Sequence, residues 1–254
     1  MSKKLKIVIA IFIALIIINT CAFATQNGIT IPTIEVSVDQ SSSPEETVTT
    51  LQIIALLTIL SLAPAILIMM TSFTRIIIIL SFLRNALGTQ QMPPNQILIG
   101  LALFLTFAIM SPTISRINEE AFTPYVEEQI SQTEALSRSG EIIKTFMLSQ
   151  IRGETELGLF MDLSDIEASN PQELPLTVVI PAFILSELKV AFQIGFILYI
   201  PFLVIDMIVA STLMSMGMMM LPPTTISLPF KILLFVLVDG WALVVQSVIN
   251  GFMV

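Results

Sequence analysis

Met214-Ser215-Met216-Gly217-Met218-Met219-Met220-Leu221-Pro222-Pro223 sets five methionines within seven residues and then stiffens into a proline pair. Long apolar segments flank it, Thr177 to Ala210 before and Pro229 to Asn250 after, so the stretch reads as the turn between two membrane helices. Turns at a bilayer surface are normally polar and carry Lys or Arg on the cytoplasmic side. Ala210 to Pro229 carries no charge at all. Methionine is unbranched, polarizable and easily repacked. The loop therefore reads either as a soft apolar seal in a pore or as a buried or re-entrant turn in which Met fills irregular gaps.

The same apolar character extends along the chain. Of 254 residues, 55% are hydrophobic and 12% charged, with mean hydropathy +0.91, whereas soluble domains carry about 25% charged residues. This is the composition of a polytopic membrane protein. The formal net charge is -8, and Arg116 to Glu173 alone holds twelve acidic and four basic side chains. Nucleic acid requires a basic footprint, so no nucleic-acid partner is expected.

Lys3, Lys4 and Lys6 precede the apolar run Ile7 to Ile18, which ends in the small-residue motif Ala22-Phe23-Ala24. That is the build of a secretory signal over residues 1–24, with cleavage expected between Ala24 and Thr25. An uncleaved first helix is the alternative, and Asn19 and Thr20 make Cys21 a poor lipoprotein site. Cleavage removes the single cysteine, and the chain has no histidine. The mature protein then lacks the usual thiolate and imidazole ligands of zinc, iron and copper. It also lacks the commonest general base and the Cys nucleophile, so no metal, no cofactor and no enzymatic activity are expected. Asp206 and Asp239 lie in apolar segments and could form an aspartyl dyad, but neither stands in a recognisable catalytic context. Pairing with basic groups inside a helical assembly is the more ordinary reading.

Residues 25–46 read as a flexible acidic leader, and residues 47–112 as a first apolar helical hairpin. Thr47 to Leu87 is apolar apart from a few interruptions, among them Pro64, Arg75 and Arg84. As one helix it would be about 60 Å long at 1.5 Å per residue, twice the ~30 Å hydrocarbon core, so one simple span cannot hold it. Gln96 to Met110 is a second apolar helix, short for a span. Residues 113–176 form an acidic extracytoplasmic helical insert, in which Thr123-Pro124 is predicted to start a helix. Ile142, Ile143, Phe146, Met147 and Ile151 mark its apolar face, while Gly153 to Gly158 and Ser169-Asn170-Pro171 read as loops. Residues 177–254 form a second apolar hairpin with the methionine loop at 214–223. Counting from the signal, the Arg75/Arg84 turn faces inward, in line with the positive-inside tendency, the insert outward and the methionine loop inward.

Charges interrupt nearly every long apolar stretch: Arg75, Arg84, Glu187, Lys189, Asp206, Lys231 and Asp239. Each costs roughly 2.5 kcal/mol or more at the centre of a lipid-facing helix, so these groups should face protein or a wet channel. The helices are expected to pack mainly on other helices in an oligomer. A four-helix monomer with snorkelling charges is the simpler alternative.

Three blocks carry a resemblance. The first runs from Leu62-Ala63-Pro64 through Met69-Met70-Thr71-Ser72-Phe73-Thr74-Arg75 and Leu83-Arg84-Asn85-Ala86-Leu87-Gly88 to Thr89-Gln90-Gln91-Met92-Pro93-Pro94-Asn95. The second is Pro181-Ala182-Phe183-Ile184-Leu185-Ser186-Glu187-Leu188-Lys189, continuing through Phe192 to Phe202. The third joins Gly217-Met218-Met219-Met220-Leu221-Pro222-Pro223 to Leu228-Pro229-Phe230-Lys231 and Val238-Asp239-Gly240-Trp241. Their order and polar punctuation closely resemble the FliP family of flagellar export-gate proteins.

The resemblance implies an all-α membrane protein, its long kinked helical hairpins packed into an oligomeric helical cone. It implies a non-enzymatic core of a type III secretion channel in the bacterial inner membrane and flagellar basal body. Five copies would assemble with FliQ- and FliR-type subunits, with an FlhB-type protein at the cytoplasmic entrance and a FliO-type factor in assembly. Met218, Met219 and Met220 match the family's gasket and would close the lumen around unfolded flagellar subunits. The related virulence injectisome subunit is the near alternative; Thr74-Arg75, the Gly88-to-Asn95 turn and the signal look flagellar. A copper carrier is the distant one, since Met-x-Met-x-Met suits Cu(I).

Overall fold

A computed structural model describes residues 44–89, 91–166, 168, 170–218 and 220–252. The expected signal, its Ala24–Thr25 cleavage point and the leader up to residue 43 fall outside these residues. The described residues are helical with no strand among them, in nine α-helices joined by one π-helical and one 3-10 segment. Residues 44–55 belong to one compact unit and are helical throughout. Leu56–Val254 forms the other unit.

Helix α1 (Pro44–Met69) keeps Pro64 inside it, and the apolar segment breaks instead at Met70 to Ser72 before α2 (Phe73–Leu87). The cause is local side-chain competition: the Thr71 hydroxyl accepts from Phe73 N at 3.4 Å, and the Thr74 hydroxyl donates to the Ile68 carbonyl at 3.1 Å. Short hydroxyl side chains offer the backbone this alternative to a continuing helix. Gly88 ends α2 at φ +74, in the left-handed region glycine enters without a Cβ clash.

Helix α3 (Asn95–Ile117) continues beyond the Met110 limit read from sequence, through Pro112 and a π-helical turn (Asn118–Phe122) into α4 (Thr123–Val126). Ile114 and Ile117 earn their place by lining an apolar cavity of about 280 Å³ with Met70, Phe73 and Ile143. Thr123 is therefore not a cap, since Phe122 before it is already helical. The true start signal lies later, where Ser131 accepts from Glu134 N at 3.2 Å to cap α5 (Gln132–Gln150).

The α5 face read from sequence is its buried face: Met147 is fully buried with Leu174, Val178, Val179 and Phe183, and Ile143, Phe146 and Ile151 pack around them. Gly153 to Gly158, read as a loop, instead opens helix α6 (Glu154–Ser164). Leu157, Phe160 and Met161 dock on the same cluster, and that burial outweighs the local cost of Gly158, about 1 kcal/mol.

Helix α7 (Leu176–Ser215) has 40 residues and contains Pro181 and Pro201. It packs on α2 around Ile76, Ile79, Leu80 and Leu83, and Gly195 lets the Phe82 ring approach to where a Cβ would sit 2.6 Å away. Helix α8 (Pro223–Leu237) and α9 (Gly240–Asn250) bend by 64° at their junction and add Phe235, Val244 and Val248 to this core. Residues 95–126 and α7 are each long and apolar enough to cross a membrane, and the bent α8–α9 pair is a third span if counted as one. At 1.5 Å per residue α7 is about 60 Å long, twice a hydrocarbon core. Phe196, Ile197, Val204, Met207 and Ile208 stand exposed along it.

Candidate functional site

The methionine loop is a built turn. Helix α7 closes with Gly217 N donating to Met214 O at 3.0 Å and Met218 N to Leu213 O at 3.0 Å. This is the Schellman arrangement, and it needs Gly217 at φ +74. Pro222 and Pro223 then start α8 where a missing N–H costs nothing. The side chains between are outward: Met214, Met216 and Met218 are exposed, and Met220 is 99% exposed. Met219 lies outside the described residues. An apolar cleft of about 480 Å³ between α7 and α8 runs beside the loop, lined by Ile205, Val209, Leu213, Ile226 and Phe230.

Below the loop, α7 and α8 are braced by charge. Lys231, 4% exposed, donates from Nζ to Asp206 Oδ2 at 2.6 Å and to the Ala86 carbonyl at 3.2 Å. The Ser227 hydroxyl donates to the other Asp206 oxygen. One lysine thus ties α8 to α7 and to the end of α2, and the hydroxyl one helical turn before it completes the carboxylate's partners.

A second network lies deeper. Arg75 donates from Nε to Glu187 Oε2 at 2.8 Å and from Nη2 to Glu187 Oε1, a bidentate pair between α2 and α7 with both side chains almost fully buried. Its Nη1 donates to the Gly251 carbonyl at 3.1 Å, and its guanidinium carbon lies 3.7 Å from the centre of the Phe252 ring. Arg152 reaches the same Gly251 carbonyl at 3.0 Å. Two guanidinium groups therefore hold the turn that follows α9.

Lys189 donates to Glu156 Oε1 at 2.7 Å, joining α7 to α6. This contact, with the Glu156 backbone N–H second, holds the Glu156 carboxyl below the usual carboxylate range. Among the charges singled out by sequence, the structure brings together Arg75 with Glu187 and Lys231 with Asp206, and it leaves Arg84 and Asp239 without an acid or base among the described residues. Ser227, Glu156, Arg152 and Phe252 were not singled out. Only Ser227, spaced four before Lys231 on one helix face, carried a sequence signal.

Fold and site define an all-α membrane protein whose hairpins are clamped by buried ion pairs and which presents a bare methionine loop at one hairpin tip. The FliP family profile matches residues 56–248, and the chain belongs to that family. It is 57% identical over 218 residues to a flagellar biosynthetic protein FliP of Bacillus subtilis, covering 85% of this chain and 98% of that one. It is 57% identical over 202 residues to the protein of that name from Pectobacterium carotovorum, covering 79% and 78%. To the Borreliella burgdorferi protein of that name it is 46% identical over 238 residues, 92% of each chain.

Proposed function

We propose that this chain is a core pore-forming subunit of the flagellar type III protein export gate, conducting unfolded flagellar subunits across the bacterial inner membrane. Several copies, five on the family pattern, ring a lumen together with FliQ- and FliR-type subunits. An FlhB-type protein associates at the cytoplasmic entrance, and a FliO-type factor serves assembly. The reading is non-enzymatic. The observation that carries it is the loop from Met214 to Pro223, uncharged, rigidly founded at both ends, and offering Met218 and Met220 to whatever lies outside the chain. A ring of such loops is apolar enough to discourage water and ions and soft enough to deform around varied polypeptides. The flagellar rather than the virulence branch is supported by relatives named as flagellar biosynthetic proteins.

Planar-bilayer conductance of assembled complexes tests the seal. Met218, Met219 and Met220 all changed to Ala should leave the Gly217 and proline ends intact, so complexes assemble yet leak ions, with export reduced less than by a variant that blocks assembly. Equal leak from correctly assembled wild-type and triple-variant gates would assign the methionines to ordinary packing.

A further inference from the structure

Seven charges interrupt the apolar segments, and the chain neutralises five of them internally. Arg75 meets Glu187, Lys231 meets Asp206, and Lys189 draws Glu156 from α6. The two left over have opposite sign.

Arg84, near the end of α2, donates from Nη1 only to neutral acceptors, Asn95 Oδ1 at 2.5 Å and the Pro93 carbonyl at 3.4 Å. Its Nε is buried with no hydrogen-bond partner among the described residues. The side chain lines a polar cleft of about 510 Å³ with Gln91, Asn95 and Gln96, and no acid among the described residues reaches it. Asp239 is the converse. It sits at the 64° bend between α8 and α9, exposed, its carboxylate without a hydrogen-bond or ionic partner among the described residues. Exposed Leu237, Val238 and Trp241 surround it in sequence, and it holds a left-handed φ of 50°. The Phe235 ring packs directly against the bend, 2.1 Å from where a Cβ on Gly240 would sit. A carboxylate fixed amid an apolar surface is poorly placed against lipid.

We propose that Arg84 of one copy receives Asp239 of the neighbouring copy, so that this ion pair joins successive copies of the chain. The proposal rests on the reading above that the chain assembles with itself. Two different patches carrying complementary charges define a head-to-tail contact, the kind that builds rings or helical arrays of copies. Every copy flanked by two others then gives one carboxylate and receives one, and its two leftover charges are both matched. A lipid phosphate would neutralise Arg84 and leave Asp239 alone, so a second copy is the occupant that satisfies both.

The test uses the full chain co-expressed with its neighbouring membrane subunits. Arg84→Glu and Asp239→Arg should each lose the oligomer seen by native mass measurement in mild detergent, and the double variant should regain it. To separate loss of the pair from misfolding of a charge reversal, a second measurement uses two chains in a Cys21→Ser background, one carrying Arg84→Cys and the other Asp239→Cys, treated with a short bismaleimide. A cross-linked dimer that requires both chains supports the pair. An oligomeric wild type with no such dimer, or with the Arg84→Cys chain joined to a different subunit, overturns the pair and leaves self-assembly standing. Wild type carrying one copy per complex overturns both.

Discussion

Replacing Glu187 by Ala should strand the most deeply buried cation among the described residues. Arg75 is 1% exposed and Glu187 0%. Without the carboxylate, Arg75 loses the acceptors of Nε and Nη2 and keeps only the Gly251 carbonyl and the Phe252 ring, with Arg152 as a like charge nearby. Breaking a buried pair by removing one partner costs about 3–5 kcal/mol. At about 2–4 °C per kcal/mol for a chain of this size, the unfolding midpoint should fall by roughly 6–20 °C. Converting both residues to Met removes both charges, and such replacements of buried pairs by apolar groups are neutral or stabilising. The double variant should therefore recover most of the loss, and with Arg75→Met and Glu187→Met as its two single variants the double-mutant cycle should show a large coupling energy. The assay is thermal unfolding of wild type, both single variants and the double in one mild detergent, followed by far-ultraviolet circular dichroism and by fluorescence of the single tryptophan, Trp241. A Glu187→Ala protein melting with wild type, or a double variant no better than the singles, would refute the reasoning by showing that Arg75 finds other partners at no cost.

Three further outcomes follow from local geometry. Gly240→Ala should destabilise by about 1–3 kcal/mol, the usual cost of overpacking a core, because its Cβ meets the Phe235 ring; Gly100→Ala, with nothing within 4 Å of the new Cβ, serves as the control in the same thermal assay. The Glu156 carboxyl, lowered by Lys189, stabilises the fold fully above the ordinary carboxylate value of about 4.3, and that contribution is lost as pH falls through the lower folded-state value. Denaturant midpoints taken downward from neutral pH should thus fall more steeply for wild type than for Glu156→Gln, and parallel curves would remove the contact from the stability balance. Intact mass of protein from assembled complexes should place the mature N-terminus at Thr25, and retention of Met1 would overturn signal cleavage.

Where local pattern and packing agreed, the fold was legible. The α5 face from Ile142 to Ile151 could be read because helical periodicity and burial are the same fact there. The turn at Gly217 to Pro223 could be read because glycine and proline impose backbone conformations on their own. Where they disagreed, packing won. Pro64 and Pro112 stay inside helices while the break falls at Met70 to Ser72, and α6 forms across Gly158 because Leu157, Phe160 and Met161 have a cluster to cover. A single proline or glycine costs a few kcal/mol at most, and several buried apolar side chains outweigh it.

By itself the sequence determined that the protein is helical and made for a membrane, that charges punctuate its apolar segments, and that one hairpin tip is methionine without charge. Composition and short-range order suffice for these, since each depends on residues close along the chain. Only the tertiary structure decided which charges meet. Arg75 and Glu187 stand 112 residues apart and Lys231 and Asp206 25 apart, and their meeting depends on how α2, α7 and α8 slide and rotate against one another. A shift of one residue along a helix turns a side chain by about 100°, enough to take a carboxylate away from its guanidinium. That register is set by the packing of Ile76, Ile79, Leu80, Leu83 and Gly195, which no local pattern records.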